Sequence, residues 1–337
     1  MFSKNHPQTP HQPLLHKKIS SFNLSLKSSA LEPMIQKLYR ELNAKGLTFR
    51  PKCFVADEWF CPVNIPAIGI PFYLLNTELS DIEDEWFGEV EGGTKEWFMK
   101  LIRHEAGHCY SYAYKLYRKK RWQNNFGIAS ADYPDTYQIK PYSKSFVRHL
   151  DNHYAQSHPD EDFAETFAVW LTPGSKWKTA YRGWPAYRKL QYIDELMKSI
   201  TYTKPVHNPE FDADDYSGLD IKLISYLRKK RLMYAHQLPG YYDKELKKIF
   251  TPLERHRRAV KASLFIKKHR RRILASTAEW TRQSKKTISA LLNNISARCD
   301  TLNLSASEDD FDTNTRLSAF ITSQVMHYAY TGKLGAE

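Results

Sequence analysis

The sequence lacks several features that define large classes of protein. Its 337 residues include only four cysteines, Cys53, Cys61, Cys109 and Cys299. These are too few and too scattered for a disulfide framework or a cysteine-rich zinc module. The sequence also lacks any run approaching the ~18 consecutive apolar residues that a membrane-spanning helix needs. A mean hydropathy of −0.60 agrees with a soluble protein.

The first residues, MFSKNHPQTPHQPLLHKKISS, contain charge but no apolar stretch of the kind found in a signal peptide. Together with the scarcity of cysteine, this predicts a cytoplasmic protein with reduced thiols. Export by a route without a cleaved signal stays open, and in that case Cys53 and Cys61 are candidates to pair across a hairpin.

Acidic side chains are scarce in one part of the C-terminal third. Residues 244–286 contain fifteen Lys and Arg and three Glu. Their net charge is +12, compared with +13 for the whole chain. Such a segment is typical of a surface for an acidic partner, nucleic acid or an anionic membrane. The alternative is a solvated helix face with no partner.

The periodicity of apolar residues and the positions of Pro and Gly predict an α+β protein. Apolar stripes at helical spacing favour helices over 31–45, from 95 to about 119, over 147–171 with an interruption near Pro159, and over 186–200. Two extended segments, LTFRPKCFVA and IPAIGIPFYLLN, favour a small sheet. The predicted organisation is a flexible polar arm (1–28), a first domain (29–202), a polar connection (203–218) and a basic helical region (219–337).

Residues 104–108 read His-Glu-Ala-Gly-His, an HExxH motif within a predicted helix. Positions i and i+4 share a helix face, so His104 and His108 can point at one zinc ion. Glu105 lies beside them as a general base for a zinc-activated water. Gly107 allows a neighbouring element to approach closely. The alternative is two surface histidines beside a solvated glutamate.

A zinc site needs a third protein ligand, and the three-histidine extension of this motif is absent because positions 111 and 114 are Ser and Tyr. The segment SHPDEDFAETFAVW supplies Glu161 and Glu165, which are four residues apart and share one helix face. One carboxylate can bind zinc, and the other can hydrogen-bond the far nitrogen of a ligating histidine.

The segments HEAGHCYSYAY and YAQSHPDEDFAETFAVWL resemble the bacterial putative zinc-binding metallopeptidase family and, more distantly, the peptidase domain of anthrax lethal factor. The resemblance extends roughly over residues 31–200 and implies a zincin-like domain of the gluzincin type. It implies these roles: His104, His108 and Glu161 as zinc ligands, Glu105 as general base, Glu165 as hydrogen-bond partner of a ligand, and Tyr154 as donor to the oxyanion, with His158 as the competing donor.

The motif and the resemblance together predict a zinc-dependent metallopeptidase that acts on a protein or peptide, more as an endopeptidase than an exopeptidase. Two alternatives stay open. One is a zinc hydrolase of a non-peptide amide, and the other is a nucleic-acid- or membrane-associated binding protein built on a zincin scaffold.

Overall fold

A computed structural model describes residues 12–87, 89–133, 140, 142–150, 153–212, 216–236, 242–252, 260–306 and 310–331. The chain divides into two compact units. The first comprises Met1–Glu83 and Val90–Tyr226, and the second comprises Asp84–Glu89 and Leu227–Glu337. Residues 1–11 of the predicted arm and residues 253–259 of the basic segment lie outside the described residues.

Helices dominate the first unit. Two further helices cross a boundary between the units, α3 (Thr77–Phe87) and α9 (Leu223–His236). The elements wholly within the first unit are α1 (Gln12–Leu15), α2 (Glu32–Ala44), β1 (Lys52–Ala56), β2 (Ala67–Pro71), α4 (Lys95–Ala113), α5 (Lys120–Phe126), α6 (Pro159–Leu171), α7 (Trp177–Ala180) and α8 (Ala186–Ser199).

The predicted small sheet is present as two parallel strands. Strand β1 pairs with β2 in a register that sets Lys52 opposite Ala67. All five residues of β2 are buried, as expected for a short apolar strand covered on both faces. Together with the helices, this sheet gives the mostly helical first unit an α+β character.

Helices α4 and α6 form the centre of the first unit. Thr94 caps α4, since its hydroxyl accepts a hydrogen bond from Trp97 N at 3.2 Å. Pro159 occupies the first turn of α6, where its missing N–H costs nothing, and His158 is the N-cap. Most residues of both helices are buried.

Gly107 marks the place where the two helices come closest. A Cβ built on Gly107 would lie 2.8 Å from the Cα of Ala164 and 3.2 Å from its carbonyl oxygen. Real Cβ atoms do not approach backbone this closely, so only glycine fits at this position. The prediction that Gly107 permits close packing is therefore confirmed.

A buried ion pair fixes α2 against α4. The Arg103 guanidinium donates from Nε to Glu41 Oε2 at 2.7 Å and from a terminal nitrogen to Glu41 Oε1 at 2.8 Å. Both side chains are less than a tenth exposed. This bidentate geometry fixes the rotation of α4 about its axis. Arg103 immediately precedes His104 in the chain.

Several predicted boundaries differ from the structure. Helix α4 ends at Ala113 and is followed by a 3-10 turn, so the predicted end near residue 119 is wrong. In the described part of the segment predicted as 147–171, a 3-10 turn covers Tyr154–Gln156 and α-helix begins at Pro159. The described part of the predicted arm contains α1 and a 3-10 turn in which Ile19 is buried.

Residues 203–218 were predicted to form a connection. They belong to the first unit, and their described part packs against the rest of it. Val206 N and His207 N each donate to the Ala113 carbonyl at 2.9 Å. The Phe211 ring packs against Phe54 with centroids 4.8 Å apart.

The second unit is a helical assembly with its own apolar core. It contains α10 (Asp243–Ile249), β3 (Thr251–Pro252), β4 (Val260–Lys261), α11 (Ala262–Thr281), α12 (Lys285–Thr301), β5 (Leu304–Ala306) and α13 (Asp310–Thr331). The three short strands form an antiparallel sheet in the order β3-β5-β4, which the prediction of a mainly helical region did not include. Among the described residues, no helix combines the length and apolar character needed to cross a bilayer.

Candidate metal centre

The HExxH residues lie on α4, and their imidazoles face the same point. His104 and His108 are one helical turn apart, and their Nε2 atoms are 3.1 Å from each other. Both side chains are buried. Two imidazole nitrogens turned toward one point, away from bulk water, are an arrangement typical of a metal site.

Helix α6 brings a carboxylate to the same point. Glu161 Oε2 lies 2.9 Å from His104 Nε2 and 3.2 Å from His108 Nε2. A tetrahedral zinc ion with ligands at ~2.1 Å needs neighbouring ligand atoms ~3.4 Å apart. The three distances of 2.9 to 3.2 Å approach this value, so a shift of a few tenths of an ångström in each ligand would seat the ion.

The donor set agrees with zinc chemistry. Imidazole nitrogen and carboxylate oxygen are both common zinc ligands. Within the described ranges, His104, His108 and Glu161 form the one group of three or more potential ligands whose atoms all lie within 4.8 Å of one another. Three protein ligands leave a fourth coordination position available.

A second glutamate on α6 orients His104. Glu165 Oε1 lies 2.9 Å from His104 Nδ1 and accepts a hydrogen bond from its N–H group. The other oxygen, Glu165 Oε2, accepts a hydrogen bond from Leu150 N at 2.9 Å. With Nδ1 donating to Glu165, Nε2 of His104 is the nitrogen that faces Glu161 and His108, and loss of its Nε2 proton would leave the tautomer that a metal ligand requires.

The electrostatics of the cluster favour a bound cation. Burial lowers the pKa of His104, but the hydrogen bonds and charges of Glu161 and Glu165 together raise it well above its ordinary value. Burial alone would raise the pKa of Glu161, yet His108 and His104 hold it well below its ordinary value. The Glu161 carboxylate is therefore ionised and attracts positive charge to the point between the ligands.

Glu105 is buried next to these groups without joining them. Burial raises its pKa above the ordinary value for a glutamate, and the nearby His104 and His108 only partly oppose this effect. A carboxylate with a raised pKa is a stronger base while it remains ionised. Glu105 is thus a buried carboxylate of raised basicity beside the two histidines.

The structure brings the remaining predicted residues to the same region. Tyr154 lies in a 3-10 turn just before α6, with its ring 5.6 Å from the His104 ring and 37% of its surface exposed. His158 is buried, and both ring nitrogens are engaged. Its Nδ1 accepts from Asp160 N at 3.1 Å, and its Nε2 donates to the Ala131 carbonyl at 2.9 Å.

Tyr133 contacts the cluster and was not predicted. Its hydroxyl donates to Glu161 Oε1 at 3.0 Å, and its ring stacks on His158 with centroids 3.7 Å apart. The tyrosine-rich composition of residues 120–146 suggests a loop over the site, but no spacing rule distinguishes Tyr133 from its neighbours. The first seven residues of that segment, moreover, form α5.

The comparisons with known proteins agree with the nature of this cluster. No curated protein and no solved structure matches the chain. Residues 98–204, about a third of the chain, match the model of a family described as a putative zinc-binding metallo-peptidase. That range contains His104, His108 and Glu161. The description of the family as zinc-binding agrees with three side chains that could hold a metal ion.

Proposed function

We propose that the first unit is a zincin-like, gluzincin-type domain that hydrolyses peptide bonds with zinc. The observation that supports this most directly is that the buried ligand atoms of His104, His108 and Glu161 lie within 4.8 Å of one another. Glu105 lies on α4 together with the two histidines. The family matched by residues 98–204 supports a metallopeptidase in general. Endopeptidase action is our more specific proposal.

In this proposal each group near the cluster has one task. Zinc held by His104, His108 and Glu161 would act as a Lewis acid that lowers the pKa of a water molecule. Glu105 accepts the proton of that water and delivers it to the leaving amine. Glu165 holds His104 in the ligating tautomer through the 2.9 Å contact at Nδ1.

Tyr154 is the better candidate for the oxyanion donor. Its ring lies 5.6 Å from the His104 ring and 37% of the residue is exposed, so it borders the cluster on a side open to solvent. His158 already uses its Nε2 proton for the Ala131 carbonyl and its Nδ1 lone pair for Asp160 N. Recruiting His158 would break one of these buried hydrogen bonds, a cost of about 1–3 kcal/mol.

Tyr133 is a positioning residue in this scheme. Its hydrogen bond engages Glu161 Oε1 and leaves Oε2 facing both histidines. It therefore favours a single-oxygen ligand geometry for Glu161. The stacking contact with His158 holds the Tyr133 ring in place.

The test measures zinc content and hydrolysis in the same preparations. We expect about one zinc per chain in the wild type and very little in His108→Ala. Glu105→Gln should retain zinc but lose at least ~10²-fold in turnover on a peptide library. His207→Ala is the matched histidine control, because His207 bonds the Asn64 carbonyl and lies outside the cluster.

Two results would contradict the proposal. Equal zinc content in wild type and His108→Ala would remove the metal assignment. Near wild-type turnover in Glu105→Gln would remove Glu105 from the mechanism. Zinc binding without cleavage of any library peptide would instead direct the search to non-peptide amides, which the same zinc-loaded preparation can be assayed against.

A further inference from the structure

One side of helix α11 in the second unit is a charged surface that peptide hydrolysis does not use. Lys261 is the N-cap of this helix, and Lys267, Arg271 and Arg272 follow along it. All four side chains are exposed. With 3.6 residues per turn they lie on one side of the helix. We call these four residues the basic face.

Within the part of the chain that the structure describes, helix α11 itself contributes little acidic charge near the basic face. Helix α11 contains a single acidic residue, Glu279, about two turns beyond Arg272. At the other end, Asp300 accepts a hydrogen bond from Ser263 Oγ at 2.6 Å. The four cations are spread over ~16 Å of helix at 1.5 Å per residue. A surface of this kind suits a partner with many regularly spaced negative charges.

The apolar side of α11 is not available to a membrane. Phe265, Ile266, Ile273 and Leu274 are all buried in the core of the second unit. A helix that lies in a bilayer interface needs such an apolar face to insert. Leu264 is the one large apolar side chain exposed amid the basic face, so this side of the helix offers little apolar surface for insertion into a membrane.

We infer that the basic face binds the phosphate backbone of nucleic acid without sequence preference. Double-stranded DNA carries one negative charge per ~1.7 Å of axis, or roughly nine over the length of the face. Lys and Arg contacts to phosphates position a protein on the duplex but read no sequence. This inference concerns the second unit and does not depend on the proposed peptidase activity.

The test uses the full chain and two unrelated 30-base-pair DNA duplexes with a fluorescent label. Fluorescence anisotropy would be measured between 50 and 200 mM salt. Four phosphate contacts give a slope of about −3.6 in log affinity against log salt, or a loss of about 10²-fold over this range. Both duplexes should bind with the same affinity.

The variant replaces Lys261, Lys267, Arg271 and Arg272 with glutamine. Each lost phosphate contact should reduce the salt slope by about 1. We therefore expect at least ~10-fold weaker binding at 50 mM salt and a nearly flat salt dependence. Circular dichroism and zinc content should match the wild type, because these four side chains are exposed.

The first unit offers a matched control. Arg118, Lys119, Lys120 and Arg121 are also exposed, and their replacement by glutamine removes the same number of Lys and Arg charges. This control should bind DNA within ~3-fold of wild type. If the quadruple variant of the basic face does not fold, the single reversals Lys267→Glu and Lys119→Glu make the same comparison.

Three results would overturn the inference. Equal loss of affinity in the two quadruple variants would mean that net charge alone drives binding. Tighter binding to phosphatidylserine vesicles than to DNA would assign the face to a membrane surface. Tighter binding to poly-glutamate than to DNA would assign it to an acidic protein.

Discussion

Gly107→Ala tests the idea that close helix packing sets the ligand geometry. The new Cβ would lie 2.8 Å from the Ala164 Cα, so α4 and α6 must separate by about 0.2 Å to reach the shortest contact that real Cβ atoms show and by about 0.6 Å to reach an ordinary contact of 3.4 Å. Glu161 lies one turn before Ala164 on the same rigid helix. Its carboxylate therefore moves away from His104 and His108.

The expected effects on stability and on zinc binding differ in size. Alanine gains up to ~1 kcal/mol over glycine in a helix, whereas overpacking of a buried contact costs ~1–3 kcal/mol. The net loss of stability should be about 0–2 kcal/mol. A separation of about 0.6 Å would take the Glu161 Oε2–His108 Nε2 distance from 3.2 Å to about 3.8 Å, beyond the ~3.4 Å that tetrahedral zinc needs. We therefore expect zinc affinity to fall ~10- to 100-fold, the scale seen for disturbed ligand supports.

The assay is competition for zinc against a chromophoric chelator, combined with thermal unfolding. Ser111→Ala is the matched control, because Ser111 is buried on the same helix and its hydroxyl has no hydrogen-bond partner among the described residues. The control should be neutral or slightly stabilising.

The double variant Gly107→Ala/Ala164→Gly sharpens this test. It should not regain zinc affinity, because the closest contacts of the new methyl group are with the Cα and carbonyl oxygen of Ala164, which glycine retains. Wild-type zinc affinity in Gly107→Ala, or full rescue by Ala164→Gly, would refute the reasoning.

Three further predictions concern the groups around the cluster. Glu161→Ala should be nearly free of zinc, whereas Glu165→Ala should bind zinc ~10–100-fold more weakly, and the reverse order in metal analysis would exchange their roles. Tyr154→Phe should lower turnover by ~10- to 10³-fold with zinc content and KM nearly unchanged. If kinetics instead show a silent Tyr154→Phe and a turnover defect in His158→Ala, then His158 is the donor. Tyr133→Phe should weaken zinc binding in chelator competition yet keep most turnover per bound zinc, and unchanged affinity would remove its positioning role.

The components of the cluster follow from local sequence rules. The i, i+4 spacing predicts that His104 and His108 share a face, and the same rule pairs Glu161 with Glu165. The N-cap Thr94 and the first-turn residue Pro159 follow from their chemistry at helix starts. These features are local, so one sequence is enough to predict them.

The contacts that the sequence does not predict come from irregular or very short segments. Tyr133 reaches Glu161 from a stretch without periodicity, and Leu150 contributes only its backbone N–H. The strands β3, β4 and β5 have two or three residues each, too few to show alternation. Long-range packing, which a single sequence does not reveal, determines where these segments lie.

The contact between His108 and Glu161 joins residues 53 positions apart in the chain. A metal ion bound by both would close a loop of that length and act as a reversible crosslink. By the polymer estimate for a covalent crosslink, closing such a loop removes about 4 kcal/mol of chain entropy from the unfolded state. The ion would then contribute to folding as well as to chemistry, and chelation would lower the unfolding temperature of the unit that holds α4 and α6.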